Sequence, residues 1–196
     1  MKKTPDAQYT SGGTQRVPRT AVAVGLGSNV GDRLGSLRLA AEGLAPLLVR
    51  PRFSSVYETE PLQVADQPLF LNACCTGLTD LEPSELFARM RRIERDGGRE
   101  RAGVRFGPRT IDLDLLLFGE QVMETPALSI PHPRMHERAF VLVPLAELAP
   151  NWQHVLLSRS IGQLAEAIDT GGIRLTSMRL GRSATEAVDG KRGEGP

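Results

Sequence analysis

Lysine is almost missing from this chain. Of its 196 residues only Lys2, Lys3 and Lys191 are lysine, and every other basic residue is arginine. A G-x-x-x-x-G-K-[ST] phosphate loop is therefore excluded, because it cannot be written without an internal lysine. The chain has only two cysteines, Cys74 and Cys75, and they are adjacent. Neighbours on a strand point to opposite faces, so a disulfide between them would be strained, and no metal-type cysteine spacing exists. A reducing, cytoplasmic setting is expected. Aromatic residues make up 5% and the net charge is +1. That combination argues against an RNA-binding module, which needs stacking aromatics in a basic surround. No run approaches the ~20 apolar residues that span a bilayer. The N-terminal MKKTPDAQYTSGGTQRVPRT has no apolar core and does not read as a secretory signal. G-x-S-x-G, H-E-x-x-H and Cys–His arrangements are absent as well.

What is present is a middle rich in periodic segments between two polar ends. Residues 1–20 and 181–196 are expected to be disordered extensions, with a domain over 21–180. AVAVGLG (21–27) reads as a strand ending in glycines, followed by a helix carrying Leu34, Leu37, Ala41, Leu44 and Leu48. PRFSSVYET (51–59) and FLNACCTGL (70–78) read as strands joined by a proline-bearing loop. LEPSELFARMRRIERDGG (81–98) is a helix opened by Pro83 or Ser84 and closed by Gly97–Gly98. A strand over 110–118 follows an Arg-rich loop, and GE (119–120) can turn into a short strand. PHPRMHERAFVLVPLAEL (131–148) is a loop and then a helix, with Pro144 at a kink or a helix start. SIGQLAEAI (160–168) is a helix and IRLTSMRL (173–180) a last strand. Strands mixed with helices in this way predict a two-layer α/β sandwich.

The chemistry concentrates in RFGPRTIDLDLLLFGE (105–120). Asp112 and Asp114 share one strand face, with Cα atoms about 6.5–7 Å apart, while Ile111, Leu113 and Leu115 face the core. Two carboxylates that close resist burial unless a cation joins them. Mg²⁺ suits them, since it takes one or two carboxylates and completes its shell with phosphates and water. Two other readings stay open on the pair alone: a solvated strand face, and an ion-pair network with Arg109. The preceding loop, with Arg99, Arg101, Arg105 and Arg109, adds cations beside the acidic pair. That combination suits a polyphosphate bridged by Mg²⁺. Gly25, Gly27 and Gly31 make G-x-G-x-x-x-G, one residue longer than the dinucleotide fingerprint and weak as a motif. His132, between two prolines, can contact a phosphate; His136 and His154 read as surface residues.

GLGSNVGDR, SSVYETEPL, FLNA, RFGPRTIDLDLLLFG and PHPRMHERAFVLVPL together resemble the 6-hydroxymethyl-7,8-dihydropterin pyrophosphokinase family over about 22–150. The resemblance implies a ferredoxin-like α+β fold with a mostly antiparallel sheet packed against helices. It implies Mg²⁺-dependent transfer of pyrophosphate from ATP to the pterin's hydroxymethyl group, giving AMP, in folate biosynthesis. It implies two Mg²⁺ on Asp112 and Asp114, with Arg99 and Arg109 as catalytic cations. Glu94, Arg101, Arg105, Phe106, Leu115, His132 and Arg138 match the ATP side; Thr59, Leu62, Phe70, Asn72 and Phe140 match the pterin side. Such an enzyme is expected to act as a monomer on small molecules, without nucleic acid or membrane. Three positions depart from the family pattern: Phe106 where Trp is frequent, Phe70 where Tyr is common, and Glu60 where Pro is familiar. The rival readings from the residues alone are a metal-dependent phosphohydrolase or nuclease and a non-enzymatic RNA-binding module of the same fold.

Overall fold

The computed structural model describes residues 19–61, 67–98 and 110–180. The expected extensions at the two ends lie outside the described residues, apart from Arg19 and Thr20.

Elements run in the order β1 (Thr20–Ser28), α1 (Arg33–Leu44), β2 (Val49–Phe53), β3 (Tyr57–Thr59), β4 (Phe70–Thr79), α2 (Pro83–Asp96) and β5 (Asp112–Phe118). Then follow β6 (Met123–Glu124), β7 (Ser129–Ile130), α3 (Ala139–Leu148), β8 (Gln153–His154), β9 (Arg159–Ser160), α4 (Ile161–Ala167) and β10 (Ile173–Leu175). The main sheet has six strands in the order β10-β3-β4-β1-β5, with β2 also on β4. Its pairings are antiparallel throughout.

The ends of the helices follow local chemistry. Asp32 caps α1 by accepting the Gly35 N–H at 2.9 Å. Pro83 opens α2, where a missing N–H costs nothing, and Gly98 closes the exit with φ +84°. Ser160 and Gln163 form a capping box on α4. Pro144 sits inside α3 rather than at its start.

The expected continuous strand 51–59 is two strands. Ser54 replaces one rung: its Oγ accepts the Cys74 N–H at 2.8 Å while its own N–H donates to the Cys74 carbonyl at 2.9 Å. A side chain that takes over a ladder bond bends the chain away from regular pairing. β2 and β3 thus lie end to end along one edge of β4.

Period-2 alternation divides the sheet into two faces. One face carries Val22, Val24, Leu26, Leu71, Ala73, Cys75, Leu113 and Leu115 into a core with Leu37, Leu44, Leu86 and Met90 of α1 and α2. The other carries Ala23, Cys74 and Leu116 against Val141, Leu142 and Leu145 of α3, with Leu164 of α4. The ferredoxin-like α+β reading holds, and the layering goes further than two layers, because helices cover both faces. Adjacent Cys74 and Cys75 are free and buried, one in each core.

Candidate active site

The second face is covered only in part. α3 begins over Cys74, whose Sγ donates to the Val141 carbonyl at 3.5 Å. Beyond that point the described residues of the same face are glycine and polar groups. Its rows can be read across the strands: Cys74 beside Gly25 beside Asp114, then Tyr57 beside Asn72 beside Gly27 beside Asp112. In each row the central strand contributes a glycine. A Cβ at Gly27 would stand 3.2 Å from Asn72 Oδ1 and 4.0 Å from Asp112 Cβ. Gly27 therefore keeps the floor low in a trough with the carboxylates on one bank and Asn72 on the other, while at Gly25 the Leu116 side chain fills the space, 3.6 Å from where a Cβ would stand. The G-x-G spacing, weak as a dinucleotide signal, is a period-2 signal that puts both glycines on one strand face.

The acidic bank is fixed from behind. β5 is an edge strand, and the N–H of Leu113 points outward from it. The buried Glu94 carboxylate on α2 accepts that N–H at 3.0 Å and receives Arg91 at 2.7 Å. Glu94 thus grips the backbone between the two aspartates, a role that spacing on a helix could not reveal. Above the pair stand His132 Nε2, 3.9 Å from Asp114 Oδ2, and Arg138 Nη1, 3.7 Å from the same oxygen. The His132 N–H donates to the Leu116 carbonyl, and His132 Nδ1 accepts the Arg134 N–H at 3.2 Å. That leaves the ring proton on Nε2, facing the acid. Burial, reinforced by the Arg138 charge, pushes His132 down to about 4, so the imidazole is neutral near pH 7.

The opposite bank is polar and aromatic. Asn72, 5% exposed, donates from Nδ2 to Thr59 Oγ1 at 2.8 Å and keeps Oδ1 toward Gly27. Phe70 is the register partner of Thr59. Phe140, at the start of α3, lies under the Arg138 guanidinium at 5.6 Å. A brace behind this bank was not legible in the sequence. Glu147 of α3 accepts from the Tyr57 hydroxyl and from the Ser55 N–H, the latter at 2.8 Å. Burial first, then Glu147, pushes the Tyr57 phenol up to about 12.

The structure brings Asp112, Asp114, His132, Arg138, Phe140, Thr59, Phe70 and Asn72 to one trough. Leu115 is 2% exposed and packed in the α1/α2 core. Leu62, Arg99, Arg101, Arg105, Phe106 and Arg109 lie outside the described residues. His154, expected at the surface, is 3% exposed and meets His136 edge-on, centroids 5.7 Å apart. His154 lies on β8, and its burial is not something local polarity could foretell.

No group of three or more His, Cys, Asp or Glu residues able to hold a metal occurs among the described residues. Two carboxylates on one face suit Mg²⁺ nonetheless, because that ion keeps waters and takes phosphate oxygens rather than a full protein cage.

An antiparallel sheet packed against helices, with an acidic pair across Gly27 from a polar, aromatic bank, defines the class: a ferredoxin-like α+β protein. Comparison with known proteins narrows it. The family model for 7,8-dihydro-6-hydroxymethylpterin-pyrophosphokinase matches residues 23–150, and the chain belongs to that family. The chain is 49% identical over 128 residues to the Bacillus subtilis 2-amino-4-hydroxy-6-hydroxymethyldihydropteridine pyrophosphokinase, covering 64% of this chain and 75% of that protein. It is 45% identical over 128 residues to an Arabidopsis thaliana folate synthesis bifunctional protein, covering 65% of this chain but 26% of that one. The chain thus spans about a quarter of that larger relative. A Plasmodium falciparum HPPK-DHPS crystal structure with pterin and p-hydroxybenzoate shares the fold, with TM-score 0.60 and 15% identity over 78% of this chain and 44% of that one.

Proposed function

We propose that the protein transfers pyrophosphate from ATP to 6-hydroxymethyl-7,8-dihydropterin, giving the pterin diphosphate and AMP, as a step of folate biosynthesis. The observation that carries this reading is the trough itself: a metal-suited acidic pair and a flat-ring-suited bank face each other across Gly27, in a member of the pyrophosphokinase family. Asn72 offers donor and acceptor to the amide-like edge of the pterin. Phe70 and Phe140 supply aromatic faces for stacking. Thr59 holds Asn72 in register.

Mg²⁺, held by Asp112 and Asp114, would neutralise charge on the ATP phosphates and orient them. Arg138 sits beside Asp114 and receives phosphate oxygens. His132, neutral with its proton on Nε2, donates a hydrogen bond without adding charge. Glu94 keeps both aspartates on one face by holding the backbone between them. Arg99 and Arg109 offset charge around the transferred group, with Arg101, Arg105 and Phe106 on the ATP side and Leu62 on the pterin side. The pterin oxygen attacks the β-phosphorus in line and gives up its proton to solvent; the bond to the α-phosphate oxygen breaks and AMP departs with that electron pair. Catalysis is positioning and electrostatics, with no protein base required.

No helix among the described residues is long and apolar enough to cross a membrane. The two free thiols suit a reducing, cytoplasmic setting, and a monomer acting on small molecules alone completes the proposal. The test is product analysis with Mg²⁺, ATP and the pterin. AMP formed only when the pterin is present supports the reading. ADP, or AMP formed without pterin, overturns it.

A further inference from the structure

The family match ends at residue 150, yet the chain re-enters the main sheet at Ile173–Leu175 and packs into the core at Leu180. β10 pairs with β3, setting Ile173 opposite Thr59, Arg174 opposite Glu58 and Leu175 opposite Tyr57. β3 is three residues long and carries Thr59 and the approach to the 60–69 connection. One neighbour, β4, holds it on the inner side. A strand that short has little pairing of its own, so its outer partner weighs heavily.

The same C-terminal segment grips both ends of β3. Thr176 donates to the Val56 carbonyl from its N–H at 3.0 Å and from its hydroxyl at 2.8 Å. At the other end, Glu60 N–H donates to the Gly172 carbonyl at 3.3 Å. Glu60 is also the position that departs from the family's proline, and it retains an N–H that a proline would lack. Between these ends, the antiparallel alternation puts Arg174 and Glu58 in a pair that exchanges backbone hydrogen bonds.

Side chains extend the clasp. The Glu58 carboxylate lies between Arg174 Nη2 at 3.4 Å and Arg33 Nη1 at 3.1 Å. Arg33 also donates to the Leu69 carbonyl at 2.7 Å, one residue before Phe70. Glu58 points away from the trough, while Thr59 beside it points in. The segment is anchored beyond β10, where Arg38 Nε donates to the Arg179 carbonyl at 3.3 Å and Leu180 enters the α1/α2 core.

We propose that residues 172–180 are part of the pterin-side apparatus, with Arg174 and Glu58 as positioning residues that set Thr59 and Phe70 through the backbones of β3 and Leu69. The inference rests on the pyrophosphokinase reading. It concerns the pterin half alone, because β10 and the acidic strand β5 lie on opposite edges of the sheet.

Steady-state kinetics on the full chain test it, with KM for the pterin and for ATP measured separately and Tm recorded. Arg174→Pro removes the backbone donor, and Glu58→Gln removes the charge between the arginines. Arg174→Pro is expected to raise the pterin KM about fivefold or more with the ATP KM within twofold, and Glu58→Gln to shift it the same way by about two- to threefold. If Arg174→Pro fails to fold, Glu58→Gln carries the test by the same split. An unchanged pterin KM in the folded variants overturns the proposal, as does a parallel rise in both KM values. Wild-type protein giving no pterin-dependent AMP would instead overturn the functional reading on which it rests.

Discussion

The two faces of the main sheet are made by the same residues of β1, β4 and β5, taken alternately, and they could hardly differ more. Toward α1 and α2 the alternate positions read Val22, Val24, Leu26; Leu71, Ala73, Cys75; Leu113, Leu115. Toward α3 they read Ala23, Gly25, Gly27; Cys74, Asn72; Leu116, Asp114, Asp112. The first face is filled completely. The second is packed where α3 covers it, and beyond that its described residues are Gly27 edged by polar groups. A strand can serve both ends because neighbouring residues do not share a neighbourhood. The rigid core behind the strand fixes the carboxylates in front of it.

Substitutions on the two faces should therefore separate chemistry from stability. On the open face, Asp112→Asn and Asp114→Asn are each expected to cut pterin-dependent AMP formation about a hundred- to a thousandfold, with Tm little changed. Nucleotide analysis beside a thermal melt reads both, and a fully active variant would remove the pair from the reaction. One residue away on the closed face, Leu113→Ala is expected to cost about 2–5 kcal/mol of stability, while activity per folded molecule persists. Denaturant titration with activity normalised to folded protein checks it. Normal stability would mean that the strand is not packed as described.

Glu94 belongs to both halves of the comparison, since it is buried on the core side and holds the backbone of the acidic bank. Glu94→Ala leaves the buried Leu113 N–H without its acceptor, at about 1–3 kcal/mol. It is also expected to weaken Mg²⁺ and ATP affinity, which isothermal titration measures. Loss of stability with intact affinity would confine Glu94 to the core. Gly27→Ala puts a methyl group on the floor between Asn72 and Asp112 and is expected to raise the pterin KM roughly tenfold. An unaffected KM would mean that the ligand does not enter the trough there.

The gentlest test concerns Cys74 and Cys75, one behind each face. Burial pushes the Cys75 thiol up to about 12 and Cys74 higher still, with the neighbouring thiol adding to the latter. Both stay protonated at pH 8, and the thiolate is the reactive form. Native protein is expected to resist a disulfide reagent, while unfolded protein releases two thiols. Fast labelling of one thiol in the native state would show that its face opens.

Although the last strand, expected over 173–180, is only Ile173–Leu175 and the β8/β9 hairpin gave no signal, the four helices, the strands β1, β4 and β5, the shared face of Asp112 and Asp114, and the opposite faces of the two cysteines were legible along the chain. Each depends on a period of 2 or 3.6 residues, a cap or a breaking glycine, and such signals are local. The resemblance carried by GPRTIDLD and PHPRMHER named the family, and the family model matches residues 23–150. The break at Ser54 was not legible, because it depends on a bond to Cys74 twenty residues away. Nor was the grip of Glu94 on Leu113, the brace from Glu147 to Tyr57, the burial of His154, or the pairing of β10 with the strand that carries Thr59. Each of these joins partners distant in sequence, and only packing chooses among the many polar groups that could have met. Local periodicity determined which residues look inward and which look out; the tertiary structure decided what they find there.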